Sequence, residues 1–582
     1  MEFSKLASYF EKLEETSSRL ALIDILSELF KAAPKDEIDI IIYLTQGRIA
    51  PFFEATEIGM ADKTVAQALA NAYGSKKETV LKLYQKLGDM GKVAEELNAK
   101  AKIKRAKLTV REVYDVLRAI AKTTGEGTVE KKLTLFSDLL GKVDSTSAKH
   151  LVRIPLGNNR LGIGDPTVLD GLATAVLGDK SKRKLLEKAY NETSDLGLIA
   201  KTLVNDGLKE VQKLKVTVGR PIRSELCERL PTPEKVIEKL KVVNAQYKYD
   251  GFRVQIHKMG KTVRMFSRNL EEMTHMFPEL IEGTLKQVKA ENVILDTEAL
   301  AYNPDSQEFL PFQETTKRRR KYKIAEMQKS LPLRAFVFDI LYVDGKSLID
   351  TPLKERLEIL KKTLRYDSGQ AGDEILIPSI GEVISDPKKL KEMLEDAITQ
   401  GLEGLVVKRL DSLYEAGGRN FNWVKLKRHS SGELHDTIDT VILGYIVGRG
   451  KRTAFGAGAL LVGIYDEKKD EFVTVSRIGT GLTDEEWREI HKRADKIRVD
   501  HKPARVNSLI SPSVWIEPKI VIEVLADEIT RSPNHTAGKV GDEPGYALRF
   551  PRLVTFRGDD KKPEDATTVK ELIEMYKQQG KK

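Results

Sequence analysis

The spacing of apolar residues changes once along this chain, and that change limits the folds open to it. Through the first two hundred or so residues they recur at helical intervals: Phe3, Leu6, Ala7, Phe10 and Leu13, then Leu22, Leu26, Leu29 and Phe30. KETVLKLYQKLGDMGKVAEEL and LTVREVYDVLRAIAK continue in that style, with glycine and proline between segments. From about residue 240 the pattern becomes short β-rich runs such as AQYKYDGFRVQIHK, NVILDTEALAY, LRAFVFDILYVDG and NWVKLKR. Helical stretches such as LKERLEILKKTL lie between them. The span LKVTVGRPIRSELCERLPTPEK, with Gly219, Pro221, Pro231 and Pro233, reads as the linker between the two regimes. A softer break, HSSGELHD, precedes runs in which Val473 and Val475 alternate with Thr474 and Ser476. That alternation predicts a compact barrel of short strands. The expectation is a multidomain α+β chain: an all-helical domain over 1–215, a mixed α/β domain over 216–428 and a β-barrel over 429–582.

A chain of 582 residues is too long for one core, which agrees with three modules. Cys227 is the only cysteine, so neither a disulfide framework nor a cysteine zinc site can be built, and a reducing cytoplasm is the expected compartment. The charged N-terminus lacks the apolar core of a secretory signal, and no apolar run approaches 18 residues, so no membrane association is expected. A net charge of +10 favours a polyanionic partner. The Lys- and Glu-rich composition would suit a thermophile.

The middle module carries the chemistry. No GxxxxGK[ST] occurs, and no GxGxxG follows a strand. Instead, charged residues recur at strand ends: Lys248 and Arg253 around a Tyr-Asp-Gly turn, Arg268, Glu298 and Glu403. Lys425 and Lys427, two apart in WVKLKR, share one face of a strand. If these strands share a sheet, one cavity gathers several cations and two carboxylates, a combination suited to a triphosphate with a divalent metal. Neighbouring cations and partial burial are expected to lower the pKa of Lys248 and free an amine able to attack an α-phosphate.

Lys248-Tyr249-Asp250-Gly251-Phe252-Arg253 resembles the KxDGxR signature of the covalent nucleotidyltransferases: DNA ligases, RNA ligases and capping enzymes. SRN, LDTEA, FVFDILY, EGLVVK and WVKLKR follow in that superfamily's order. The tail RFPRLVTFRGDDKKPEDATT and the segment HLVRIPLGNNRLGIGDPTVLDGLA narrow the likeness to ATP-dependent DNA ligases of the archaeal and eukaryotic replicative type. The resemblance implies an OB-fold barrel, ATP as the AMP donor, and Mg²⁺, with Mn²⁺ as an alternative. It implies Lys248 as the adenylylated nucleophile and Gln246 beside the adenine edge, where many relatives have Glu. Phe338 would stack on the base, and Arg253 and Arg268 would contact the AMP and later the nick 5′-phosphate. Glu298 and Glu403 are the implied metal carboxylates. Arg419, Lys425 and Lys427 would bind phosphates, and Arg557 and Lys561 would orient the leaving pyrophosphate. The last motif departs from the family's R-x-D-K by one extra residue, so either Asp559 or Asp560 fills its acidic position.

The implied partner is nicked double-stranded DNA, held without base readout by a monomer, with Arg153, Arg160, Arg318 and Arg319 as contacts. QGRIAPFF (Gln46, Ile49, Phe52, Phe53) formally fits a sliding-clamp binding box. It continues the apolar run IDIIIYLT, so packing in the helical core is the expected role. RNA ligation or capping fits poorly with so large a helical module. The cysteine-rich zinc element of NAD-dependent relatives cannot be made here. A DNA-binding scaffold with a dead nucleotide site would require loss of Lys248, Glu298 or Lys425, and all three are present.

Overall fold

The computed structural model describes residues 1–304, 309–310, 312–320, 322–366, 374–399, 402–427, 436–447, 458–479, 482–558 and 560–579. Up to residue 211 every regular element of more than an isolated bridge is helical. The apolar stripe read in Phe3–Glu15 is buried at Phe3, Leu6, Ala7, Phe10 and Leu13, and it joins Leu22, Leu26 and Leu117 in one core. Val110–Lys122 begins at a capping box in which Thr109 and Glu112 satisfy each other's backbone N–H groups. None of the helices is long and apolar enough to cross a membrane, among the described residues.

The middle region is two sheets facing each other. The first has the strand order Leu226–Arg229, Arg419–Lys427, Gly404–Arg409, Val243–Lys248, Glu382–Ile384. The second runs Thr262–Ser267, Phe252–Met259, Asn292–Ala301, Leu333–Val343, Lys346–Ser347, with Leu376–Pro378 parallel to Leu333–Val343. The chain passes from one sheet to the other within four residues, between Lys248 and Phe252. Gly251 makes the crossing feasible: a Cβ there would lie 2.3 Å from the carbonyl oxygen of Ala299. Lys248 therefore ends its strand in the crevice between the sheets.

The C-terminal region is a seven-stranded sheet centred on Ile438–Ile446, with Ala459–Asp466 on one side and Val514–Leu525 on the other. Its inward residues, including Ile442, Val462, Val473 and Ile522, form their own core. The final helix, Val569–Gln578, returns to the mouth of the crevice. This region also touches the helical one, where Asn158 donates to the carbonyl of Lys496 at 2.7 Å.

Candidate active site

Strand register builds the floor of the crevice. Lys248 is paired with Gly404, and Gly404 with Lys427; one step along, Gln246 is paired with Val406, and Val406 with Lys425. Residues two apart share a face, so Gln246, Lys248, Lys425 and Lys427 point the same way. The position between Lys248 and Lys427 carries no side chain. Gly404 has φ +135°, and a Cβ there would meet the carbonyl of Leu426 at 2.3 Å. The neighbouring Glu403 reaches into that gap, with its Oε2 2.6 Å from Lys248 Nζ and 3.4 Å from Lys427 Nζ.

The charge nearest to Lys248 is thus a carboxylate, where the sequence reading expected cations. Burial alone would raise the Glu403 carboxyl, but the two ammonium groups outweigh it and hold it well below the usual range. Asp250, in the signature turn, is pushed up to about 6 by burial and by its hydrogen bond with Glu403. Glu298 faces Arg253 across the strand pair and is pushed up to about 7, burial outweighing the attraction of Lys248 and Arg253. Glu298 and Glu403 both line the cavity. Two hard oxygen donors beside a row of phosphate-sized cations fit a Mg²⁺ ion that completes its shell with water and substrate phosphate.

Phe338 lines the far end of the cavity, edge-on to Trp423 with centroids 6.0 Å apart. Its carbonyl accepts from Gln246 Nε2 at 3.3 Å and from Lys408 Nζ at 3.2 Å. Lys408 is wholly buried between the Phe338 and Trp423 rings, and burial pushes its pKa down to about 8. Arg253 is held more firmly than the sequence suggested. Its Nε donates to Asp296 Oδ1 at 2.8 Å, a second guanidinium nitrogen to Asp296 Oδ2, and a third to the carbonyl of Glu225 at 2.9 Å. Asp296 and Lys408 were missed by the sequence reading. Each sits at an even spacing from a residue that was recognised, Asp296 two before Glu298 and Lys408 on the paired strand beyond Val406, and that periodicity was the available signal.

Carboxylates of the C-terminal region meet the remaining cations. Arg419 and Lys425 share Glu571 at 2.6 and 2.7 Å, and Arg268 lies 3.4 Å from Asp565. Arg557 pairs with Asp560 at 2.6 Å and Glu523 at 3.2 Å, and Lys561 pairs with Asp439. All of these line the same cavity. Asp559, one of the two alternatives for the last motif, lies outside the described residues.

Two of the arginines expected on DNA face inward. Arg153, 1% exposed, is bonded to Glu14 and Asp89 inside the helical region. Arg318, also 1% exposed, is paired with Glu279 under the Phe277 ring. Both guanidiniums serve packing in this arrangement, because a carboxylate brought close by the fold satisfies each one. Arg160 has φ +56° and donates to the carbonyls of Gly88, Lys496 and Arg498, so the C-terminal region covers it. Arg319 stays at the cavity, 3.3 Å from Glu271. In the clamp-box pattern, Ile49 and Phe53 are buried and Gln46 donates to Asp165 at 3.1 Å.

Comparison with known proteins shows the family. Models described as DNA ligase N terminus, ATP dependent DNA ligase domain and ATP dependent DNA ligase C terminal region match residues 2–173, 224–427 and 453–560. The chain belongs to the ATP-dependent DNA ligase family. This ligase is 48% identical over 582 residues to a probable DNA ligase of Dictyoglomus turgidum, covering 100% of this chain and 98% of the relative. It is 43% identical over 597 residues to DNA ligase 2 of Thermofilum pendens, with coverage of 100% and 98%. It is 40% identical over 599 residues to the DNA ligase of Sulfolobus acidocaldarius, with coverage of 100% and 99%. Its helical, nucleotidyltransferase-like and β-rich regions follow one another in the order expected from the sequence.

Proposed function

We propose that this ligase seals 5′-phosphate/3′-OH nicks in duplex DNA through a covalent lysyl-AMP on Lys248. The supporting observation is the Lys248–Gly404–Lys427 line, in which the one lysine at the crossing between sheets faces phosphate-binding cations across a residue without a side chain. In the first step Lys248 passes a proton to solvent, its amine attacks the ATP α-phosphate, and the bond to the β-phosphate oxygen breaks to release pyrophosphate. Lys425, Lys427 and Arg419 would neutralise charge developing on the phosphates, with Arg557 and Lys561 at the leaving group. Glu298 and Glu403 would hold Mg²⁺, which supplies further neutralisation of phosphate charge, and Mn²⁺ could replace it. Gln246 and Phe338 would border the adenine. In the second step a nick 5′-phosphate oxygen attacks the AMP phosphorus and Lys248 leaves. In the third, the adjacent 3′-OH attacks the 5′-phosphate and AMP departs.

Duplex DNA would approach the crevice only after the C-terminal region has swung away, because its carboxylates now cover Arg268, Arg419 and Lys425. We place the domain boundaries at 215/216 and 428/429, and the single cysteine suits a reducing cytoplasm. A sliding clamp would use a segment other than 46–53, where Ile49 and Phe53 are buried and Gln46 is bonded to Asp165.

The test is a chase. Protein incubated with α-labelled ATP and Mg²⁺ is freed of nucleotide and offered nicked DNA or nicked RNA. Retained label that is absent in Lys248→Ala, and that is discharged only by DNA with sealing, is the expected result. Absence of covalent label overturns the nucleophile assignment.

A further inference from the structure

With Arg153 satisfied by Glu14 and Asp89, other exposed cations of the helical region are candidates to grip DNA outside the crevice. Within that region, the largest acid-free group of cations in one short segment is the connection after the helix Met90–Lys100. Lys100, Lys102, Lys104, Arg105 and Lys107 put five cations and no acid into eight residues. Some lysines on exposed helices stand beside a carboxylate, as Lys361 does with Glu358 and Lys577 with Glu574. Here the compensation is thin. Lys100 pairs with Glu96, and Lys107, with its side chain 87% exposed, lies 3.9 Å from Glu2. No carboxylate among the described residues lies within ion-pair distance of Lys102, Lys104 or the adjacent exposed Lys142.

The backbone under these charges is anchored. Asn98, wholly buried, donates to Tyr73 Oη and to the carbonyl of Val143 at 3.0 Å each, and accepts from Arg105 at 3.4 Å. The Ala106 N–H donates to the Lys142 carbonyl at 2.7 Å, and the Leu108 carbonyl accepts from Phe3 at 2.8 Å. These bonds all stay within the helical region. Like charges on a fixed backbone repel one another, and an external polyanion relieves that repulsion. Duplex DNA carries one charge per about 1.7 Å of axis, so it can engage several of these side chains at once.

We propose that the 100–107 connection, with Lys142, is a contact surface for the phosphate backbone of duplex flanking the nick. The proposal rests on the nick-sealing reading above. The contact is independent of base sequence, and it holds the substrate without touching the nucleotide cavity.

The experiment compares wild type with K102A/K104A/K107A, full chain, on a nicked duplex at a series of salt concentrations. Self-adenylylation with labelled ATP is measured in parallel and is expected to be equal in both proteins. The variant is expected to bind the duplex at least about tenfold more weakly at low salt. Its slope of log affinity against log salt should be shallower by about 2 to 3, near 0.9 per lost phosphate contact. An unchanged affinity and slope would overturn the assignment and leave the loop to an acidic protein surface. Weakening with an unchanged slope would overturn it as well. Failure of wild type to take up label or to bind nicked duplex would instead count against the nick-sealing reading.

Discussion

Lys425, on the cavity floor, lies 2.7 Å from Glu571 on the last helix of the chain. The same carboxylate takes Arg419 at 2.6 Å and caps its own helix through the Thr568 N–H at 3.0 Å. Its position is therefore set by local helix geometry, and it acts as an internal anion on two cations that we propose bind phosphate. Lys425, Arg419 and backbone N–H donors outweigh burial and hold its carboxyl far below the usual range.

On the proposed reading, ATP displaces Glu571 to reach Lys425. Glu571→Gln, which keeps the shape and removes the charge, is expected to lower the KM for ATP in self-adenylylation several-fold. Label uptake at graded ATP concentrations reads this directly. A KM equal to wild type, or higher, would show that the carboxylate does not compete with phosphate.

Arg253 depends on Asp296, which is 0% exposed. Asp296→Asn leaves a buried guanidinium without its charge partner, a change that costs about 3 kcal/mol in comparable sites. Urea unfolding should show that loss, together with slower adenylylation as Arg253 drifts from the cavity. Wild-type stability in the variant would contradict the pairing.

Gly251 has no room for a methyl group against the Ala299 carbonyl. Gly251→Ala is expected to separate the two sheets at the signature turn, costing about 1 to 3 kcal/mol and most of the label uptake. Circular dichroism at room temperature should still show the native content of helix and strand. Full adenylylation by this variant would mean the turn tolerates more displacement than its packing indicates.

Acid should loosen the helical region through Glu11 and Asp89. His150 and Lys149 lower Glu11 to about 2, and Arg153 and Arg160 outweigh burial to lower Asp89 to about 2. Both folded-state values lie below the unfolded ones near 4, so their stabilisation is complete above about pH 4 and is lost as pH falls toward 2. For Asp89 the loss is about 2 kcal/mol. Thermal midpoints measured from pH 5 to pH 2 should fall through that window, and more shallowly in Asp89→Asn. An equally steep fall in the variant would remove Asp89 from the account.

Features set by short-range pattern were legible in the sequence alone. Helices such as Phe3–Glu15 and the signature strand that delivers Lys248 follow from apolar spacing, and spacing depends only on neighbours in the chain. The common face of Lys425 and Lys427 follows in the same way. What only the tertiary structure decided was the partner and the burial of each charge. Arg153 and Arg160 carry the same side chain in one short segment, yet one is buried on Glu14 and Asp89 while the other lies under the carbonyls of Lys496 and Arg498. Glu571 reads as an ordinary capping residue until the last helix is laid against Lys425. Charges interact through space, and packing determines which of them meet across hundreds of residues and how much water remains between them. No local pattern encodes that distance.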